Sequence, residues 1–364
     1  MSEDATYMAR AVQLAKQGEG FVEPNPMVGC VIVRDGTTIA EGWHQRFGGP
    51  HAEVEALAAA GANALGATMY VTLEPCCHHG KTPPCTDSIL AAGIKRVVVA
   101  QQDPFAQVSG QGVELLRAKG VSVGTGVGEE AARALNAPYR SLIERGRPWV
   151  IAKWAMTLDG KIASRTGHSQ WISSEQSRKY VHQLRGRVDA VMVGRRTVEM
   201  DDPQLTARPA GPRAAVRIVV DSKASISLSS RLVQSCSQTP LLVACGQEAD
   251  SARCHRLQAA GSEVLVCRGT TATERLNSLF GELGRRRMTN VLVEGGSQLL
   301  GSLFDAELID ECHAFIAPKI VGGEPALSPI AGLGQEQIPQ GASLDGLRIQ
   351  IVQGDVYVCG RVRR

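Results

Sequence analysis

The chain has no strong excess of charge. Its 39 Lys and Arg against 36 Asp and Glu leave a formal net charge of +3 over 364 residues. The longest basic run, Arg285-Arg286-Arg287, is too short for the basic stripe with which proteins hold a long polyanion. A nucleic-acid partner is therefore not expected, whereas a small phosphorylated ligand needs only one or two local cations. No apolar run is long enough to span a bilayer, so no membrane association is expected. Met1-Ser2-Glu3-Asp4-Ala5 lacks the basic and apolar regions of a secretory signal. Repeats, low-complexity tracts and coiled-coil heptads are also missing. Cysteine is not scarce, but most of the ten, such as Cys30, Cys245 and Cys267, sit inside apolar strand-like runs, where thiols serve as small buried hydrophobes. A reducing, cytoplasmic location is the expectation.

The length exceeds that at which one core usually divides, so two domains are expected. The first half alternates strands and helices. Apolar positions at Met8, Ala11, Val12 and Ala15 are spaced for a helix, and Val28 to Val33 with Ile39 to Gly42 read as a strand pair about Asp35-Gly36. Further on, helices are expected at 53–60, 86–92 and 112–119, with strands at 68–73, 96–100 and 121–123. This is a three-layer α/β pattern. It breaks around Glu144-Arg145-Gly146-Arg147-Pro148, which sets the expected domains at 1–147 and 148–364. A second alternation follows, with strands near 149–155, 189–194, 215–221, 240–245, 263–267 and 290–294, and a mostly β portion from about 310.

One cluster in the first half carries chemistry. His51-Ala52-Glu53 is followed by Pro75-Cys76 and then Cys85. One imidazole and two thiolates hold Zn²⁺ and leave a fourth position open for water. A glutamate two residues beyond the histidine moves protons between that water and a departing amine. His51 and Glu53 fall at an expected helix start, and Cys85 directly precedes Thr86-Asp87, read as a helix cap. A purely structural zinc would need a fourth ligand from Cys77, His78 or His79, and would leave Glu53 without a task. The cysteines are not spaced Cys-x-x-Cys; a long insertion separates them.

With that insertion, three segments resemble the bifunctional riboflavin-biosynthesis deaminase/reductase family: Asn25-Pro26-Met27-Val28-Gly29-Cys30, His51-Ala52-Glu53, and Thr72 through Cys85, reading TLEPCCHHGKTPPC. The resemblance implies a cytidine-deaminase-like N-terminal domain with His51, Cys76 and Cys85 on zinc and Glu53 as proton shuttle. It also implies that Asn25, His44, His78 and Lys81 hold the pyrimidine and its ribose phosphate.

In the second half, 153–161, 193–203 and 291–300 stand out. The last reads strand, glycine pair, helix, which lets a backbone approach a pyrophosphate at a helix N-terminus. It is not Gly-x-Gly-x-x-Gly, so the usual Rossmann fingerprint is absent. Together these segments resemble the reductase half of the same family, whose fold is like that of dihydrofolate reductase and whose hydride donor is NADPH. The resemblance implies cofactor contacts at Ala155, Trp171, Thr197, Asp201, Ser222 and the run Gly296, Ser297, Gln298, Leu299, Leu300, Gly301 and Ser302. It implies substrate contacts at Ser169, Arg185, Leu205, Arg208 and Glu294. A guanidinium pairs two phosphate oxygens, which suits Arg185 and Arg208, although Arg185 lies on an expected helix among other charges. Lys153, Asp201 and Glu294 are the polar groups placed to steer ring opening and protonation at the sugar C1′. Trp171 sits just before Ser173-x-x-Gln176, read as a capping box.

The expected fold class is thus α/β throughout, a three-layer deaminase domain followed by a reductase domain. The expected function is zinc-dependent hydrolytic deamination of 2,5-diamino-6-(5-phosphoribosylamino)pyrimidin-4(3H)-one, then NADPH-dependent reduction of the ribosyl chain of the uracil product. A homo-oligomer is expected, through an exposed face of the second domain's sheet. Three other readings compete: a nucleoside or tRNA deaminase with an unrelated partner domain, a zinc-containing nucleotide sensor without turnover, and a bifunctional-looking chain with only one active half, against which the motif sets in both halves weigh. Low basic charge and the long inter-cysteine loop weigh against the first, and Glu53 against the second.

Overall fold

Short β-branched runs separated by alanine-rich helices dictate a layered first half. The computed structural model describes residues 2–78, 83–106 and 108–363, which fall into two compact units, Met1–Gly146 and Arg147–Arg364. Helix α1 (Glu3–Ala15) opens the first, its N-terminus capped by the Ser2 side chain. Strands β1 (Gly29–Arg34) and β2 (Thr37–Trp43) form a hairpin whose turn places Asp35 and Gly36 at φ 51° and 73°, the left-handed pair that matches strand twist. There follow α2 (Ala52–Ala60), β3 (Thr68–Val71), α3 (Cys85–Ala91), β4 (Arg96–Val99), α4 (Gln111–Ala118), β5 (Ser122–Thr125), α5 (Glu129–Leu135) and α6 (Ala137–Arg145).

The strand order is β2-β1-β3-β4-β5. β1 runs antiparallel to β2 and β3, and β3, β4 and β5 are parallel. Because side chains alternate across a strand, Cys30, Ile32, Met69 and Val97 pack on α2, α3 and α4. Val31, Val33, Tyr70 and Val98 pack on the other face, against Met8, Ala11, Leu14 and Ala132. The three layers match the expectation. Helices α5 and α6 were not expected from the sequence, because they bury only Ala132, Ser141 and Leu142 and so lack an apolar stripe. Helix α6 runs through Glu144 and Arg145 and stops at Gly146, φ 68°, so part of the expected linker is helix.

The second unit contains β6 (Trp149–Thr157), α7 (Glu175–Arg185), β7 (Ala190–Gly194), α8 (Arg195–Asp201), β8 (Val216–Val220), α9 (Arg231–Gln234), β9 (Leu241–Cys245) and α10 (Ser251–Ala259). It continues with β10 (Glu263–Val266), α11 (Ala272–Arg285), β11 (Asn290–Val293), α12 (Ser297–Asp305), β12 (Glu311–Ala317), β13 (Ser343–Val352) and β14 (Asp355–Arg363). Its sheet runs β10-β9-β8-β7-β11-β6-β12-β14-β13. It is parallel from β10 to β12, then antiparallel through β14 and β13. Apolar layers cover both faces of the parallel part, as such sheets require.

Two local expectations are corrected. The portion after 310 is β only over 311–317 and 343–363, with no strand between. The cap of α7 is Ser174, not Ser173, its hydroxyl accepting from Ser177 N. Asp355 accepts from Ser174 N and Ser177 Oγ at 2.7 and 2.6 Å, a long-range contact that selects between adjacent serines. Among the described residues no helix is long and apolar enough to cross a membrane.

Candidate active sites

The metal cluster sits where three chain segments begin helices or leave the sheet. His51 is the N-cap of α2, and Glu53 lies in its first turn. Cys76 follows β3. Cys85 is itself the first residue of α3, with Pro84 as N-cap, so the expected cap at Thr86-Asp87 lies one turn position inside the helix. His51 Nδ1 is 3.2 Å from Cys85 Sγ and 3.6 Å from Cys76 Sγ, and all three donor atoms lie within 4.8 Å of one another. Bonds of about 2.0–2.3 Å to a shared tetrahedral ion put donors roughly 3.3–3.8 Å apart, so the trio fits Zn²⁺. Cys77 is not among the three.

The electrostatics agree with that use. The Cys76 thiol, held by a bond from Cys85 and by His51, is drawn down to about 4, while Cys85, sharing the proton with Cys76 and deeply buried, is pushed up. The pair therefore holds one negative charge readily, and a divalent cation releases the second proton. Bonding to Cys76 raises the His51 imidazole. Glu53 is 3% exposed, and burial pushes its carboxyl up to about 7, within reach of both protonation states near neutrality.

Asn25 and His44 form one unit beside it. His44 Nδ1 lies 2.8 Å from Pro50 O, an acceptor, so Nδ1 carries the proton. Burial lowers the His44 pKa and keeps the ring neutral, so Nε2 accepts from Asn25 Nδ2 at 3.3 Å. That fixes the Asn25 amide with Oδ1 turned away from His44. The His44 ring meets His51 edge-on, centroids 5.5 Å apart. His78 Nδ1 is buried without a hydrogen-bond partner among the described residues, and its ring lies 6.3 Å from that of Phe105. Lys81 lies outside the described residues. Asn136 was missed in the sequence: its side chain accepts from Met27 N at 2.8 Å and donates to Met27 O at 2.9 Å, bracing the Asn25 segment from a junction that carries no motif.

In the second unit a cavity of about 790 Å³ opens at the carboxyl ends of the parallel strands, where ligands of open α/β sheets bind. Its wall includes Gly194 at the end of β7, Ser222 after β8, Gly246 after β9 and Gly296 before α12. Gly295 has φ 116°, a conformation that requires glycine. A Cβ on Gly296 would meet Thr197 Oγ1 at 3.3 Å. No side chain caps α12, leaving its first N–H groups for an anion. Apolar Val220, Ala244 and Leu276 line the same cavity as Arg195, Arg196 and Arg275. This mixture suits the ring and phosphates of a dinucleotide, so the residues fit NADPH.

Of the expected cofactor residues, Thr197, Asp201, Ser222, Gly296, Ser297, Gln298, Leu299 and Ser302 line this cavity. Leu300 instead packs in the core, and a Cβ at Gly301 would meet Ala331 C at 2.3 Å, so both occupy the packed side of α12. Ala155 packs beside Phe315 and Tyr357. Trp171 is 62% exposed, with the Arg178 guanidinium 4.5 Å above its ring.

Among the expected substrate residues, Ser169 lines the cavity and donates from Oγ to Asp201 Oδ1 at 2.8 Å. Arg208 is exposed and bonded to Gln204; Leu205 is buried. Arg185 is half-buried and already engaged within the protein. It forms a two-bond pair with Glu294, at 2.6 and 2.8 Å, and donates to Thr206 O at 3.1 Å. Burial alone would raise Glu294, but Arg185 and Lys153 outweigh it and hold the carboxyl below its usual range. Burial lowers the Lys153 ammonium pKa despite Glu294. Lys153, Arg185 and Glu294 therefore form one half-buried charge cluster, and Ser169 with Asp201 a second polar pair in the cavity wall.

The family model described as the RibD C-terminal domain matches residues 148–358. That described as the cytidine and deoxycytidylate deaminase zinc-binding region matches residues 1–101. The riboflavin biosynthesis protein RibD of Actinobacillus pleuropneumoniae is 42% identical over 98% of this chain and 94% of its own length. That of Escherichia coli is 41% identical over 88% and 89%. Among solved structures, Acinetobacter baumannii RibD has a TM-score of 0.87 at 33% identity, covering 100% of this chain and 99% of its own. A Thermotoga maritima diaminohydroxyphosphoribosylaminopyrimidine deaminase/5-amino-6-(5-phosphoribosylamino)uracil reductase has a TM-score of 0.85 at 37% identity, covering 99% of both chains.

Proposed function

The chain belongs to the RibD family of bifunctional riboflavin-biosynthesis enzymes, a zinc-dependent deaminase joined to an NADPH-dependent reductase, and we propose the following division of work among its residues. His51, Cys76 and Cys85 hold the zinc, which when bound supplies the Lewis acidity for hydrolytic attack at neutral pH. Glu53 takes a proton on its carboxylate as water attacks the amino-bearing carbon of the pyrimidine, and returns one to the departing amine. Water enters and ammonia leaves. Asn25 Oδ1, oriented through His44, accepts a ring or amino N–H of the substrate. His78 and Lys81 serve the ribose phosphate.

In the second unit NADPH supplies the hydride. The Gly295-Gly296 turn and the start of α12 hold its pyrophosphate, and Thr197, Ser222, Gln298 and Ser302 line its course. Asp201, fixed by Ser169, steers the opened sugar, while Lys153 and Glu294 set the charge near C1′. Arg185 fixes Glu294 and, with Arg208, meets the substrate's ribose phosphate. The partition of the chain at 147/148 into these two functions is part of the same reading. We also read the protein as a cytoplasmic homo-oligomer with no nucleic-acid partner. Ten free cysteines support a reducing compartment, and exposed Leu347, Ile349 and Ile351 on edge strand β13 support self-association.

One observation carries the reading: the His51–Cys76–Cys85 trio beside a buried Glu53, in a chain whose second unit matches a reductase domain. This combination is not that of a nucleoside or tRNA deaminase with an unrelated partner. The test is to incubate the purified protein with the diaminopyrimidine, with and without NADPH, and weigh the products. Exchange of an amino group for oxygen is expected without NADPH, and a further gain of two hydrogens with it. An unchanged substrate mass in both arms would favour the sensor instead.

A further inference from the structure

Helix α4 begins at Gly110, φ 82°, which has no side chain to cap it. The missing cap comes from a distant residue. Glu74 Oε2 accepts from Gly110 N at 2.9 Å and Asp103 N at 3.3 Å, and Oε1 accepts from Gly112 N at 3.0 Å and Val113 N at 3.1 Å. One buried carboxylate thus takes four backbone N–H groups and sits at the positive end of the helix. Glu74 is 3% exposed and stands two residues before ligand Cys76. Its own N–H donates to Gln101 O at 3.0 Å.

The segment between is equally constrained. A Cβ on Gly112 would come within 2.1 Å of Pro75 O, so α4 lies directly against the peptide that leads into Cys76. From the other side, Cys76 O accepts from Thr86 N at 3.2 Å, and Cys76 Sγ accepts from Cys85 N at 3.4 Å. The loop that Glu74 gathers carries Asp103, which holds Tyr139 Oη and Phe105 N at 2.9 Å each, and thereby places the Phe105 ring beside His78.

We propose that Glu74 is a positioning residue for the zinc centre, clamping the Cys76 loop to the start of α4 and setting the thiolate before the metal arrives. The proposal rests on zinc being held by His51, Cys76 and Cys85. A carboxylate that only stabilised α4 would set the melting temperature; a clamp on Cys76 also sets how tightly zinc is kept. Partners that orient metal ligands typically govern affinity by about 10- to 100-fold. Glu74→Gln keeps the shape but faces an NH₂ group towards two backbone donors.

The experiment uses the full-length protein well below its melting temperature, with chelator-driven zinc loss and the cobalt-substituted absorption spectrum as readouts. Glu74→Gln should release zinc about 10- to 100-fold faster and alter the thiolate–cobalt bands, while its affinity for NADPH in the second unit is unchanged. Wild-type zinc retention with an unaltered spectrum would overturn the clamp and leave the deaminase reading standing. A wild-type protein that binds no zinc would instead overturn the reading beneath it. If the variant does not fold, amide exchange on the wild type decides. Gly112 and Val113 N–H groups should stay protected after zinc is stripped; exchange at loop rates in the stripped protein would make the clamp a consequence of the metal and refute the proposal.

Discussion

The first unit gathers metal-donor groups, two thiols and an imidazole beside a buried carboxyl, within residues 51–85. The second unit gathers opposite charges, Lys153, Arg185 and Glu294, from three separated segments. Two thiols and an imidazole reach their fully deprotonated form with a divalent cation between them, whereas a guanidinium–carboxylate pair supplies its own balance. One site thus calls for a metal and the other balances its own charge, and the two sites should fail in different ways.

The sharpest way to break that contrast is a chelator. Stripping zinc should abolish deamination and leave reduction of supplied uracil substrate intact; a parallel fall in NADPH oxidation would mean that the second unit also depends on the metal. Next in size, Glu53→Ala should cut deamination by about 10²–10⁴-fold in a protein that still binds zinc and still reduces. Loss of both activities in a zinc-loaded variant would end the division of labour.

Arg185→Met attacks the self-balanced cluster. It removes the two-bond partner of Glu294 and leaves only the Lys153 charge beside it, at a cost of about 1–3 kcal/mol to the second unit, measured by denaturant unfolding with zinc content unchanged. Adding Glu294→Leu should recover most of that loss; no recovery would show that packing, not charge, was at stake. Asp201→Asn is milder, with NADPH oxidation slowed by about tenfold, or ~1.4 kcal/mol of barrier, and deamination spared.

The smallest effect concerns acid stability of the first unit. Asp4, bonded by Arg96 and Tyr70, has its carboxyl held below the usual range. Its contribution is full above the unfolded carboxyl value, about 3.9, and is lost as pH falls through the lower folded value. Arg96→Met should remove roughly 1 kcal/mol at neutral pH and flatten the acid limb of the unfolding curve. An unchanged limb would exclude Asp4 from acid sensing.

What could be read from residues alone follows from range. His51, Cys76 and Cys85 are close in sequence and sit at element ends, so their grouping could be expected from spacing, and the structure brings their donor atoms within 4.8 Å of one another. The layers of both sheets were legible because buried parallel strands read as apolar runs. Arg185 and Glu294 are 109 residues apart, and on its helix Arg185 looks like any solvated cation. Glu74 was visible only as part of a motif, since its partners are backbone N–H groups, which have no sequence signature. The polar junction between α5 and α6 hid Asn136 for the same reason.

Asn136 has a consequence for where the deaminase half can be cut. The zinc-binding match ends at residue 101, and a fragment trimmed there would hold every metal donor. It would still lack the amide that grips both backbone atoms of Met27 and the Ala132 methyl packed among Met8, Ala11 and Leu14. The Met27 segment is thus braced from the far end of the same unit, and a stable first unit is expected to need the chain at least through Asn136, not only to the end of β4.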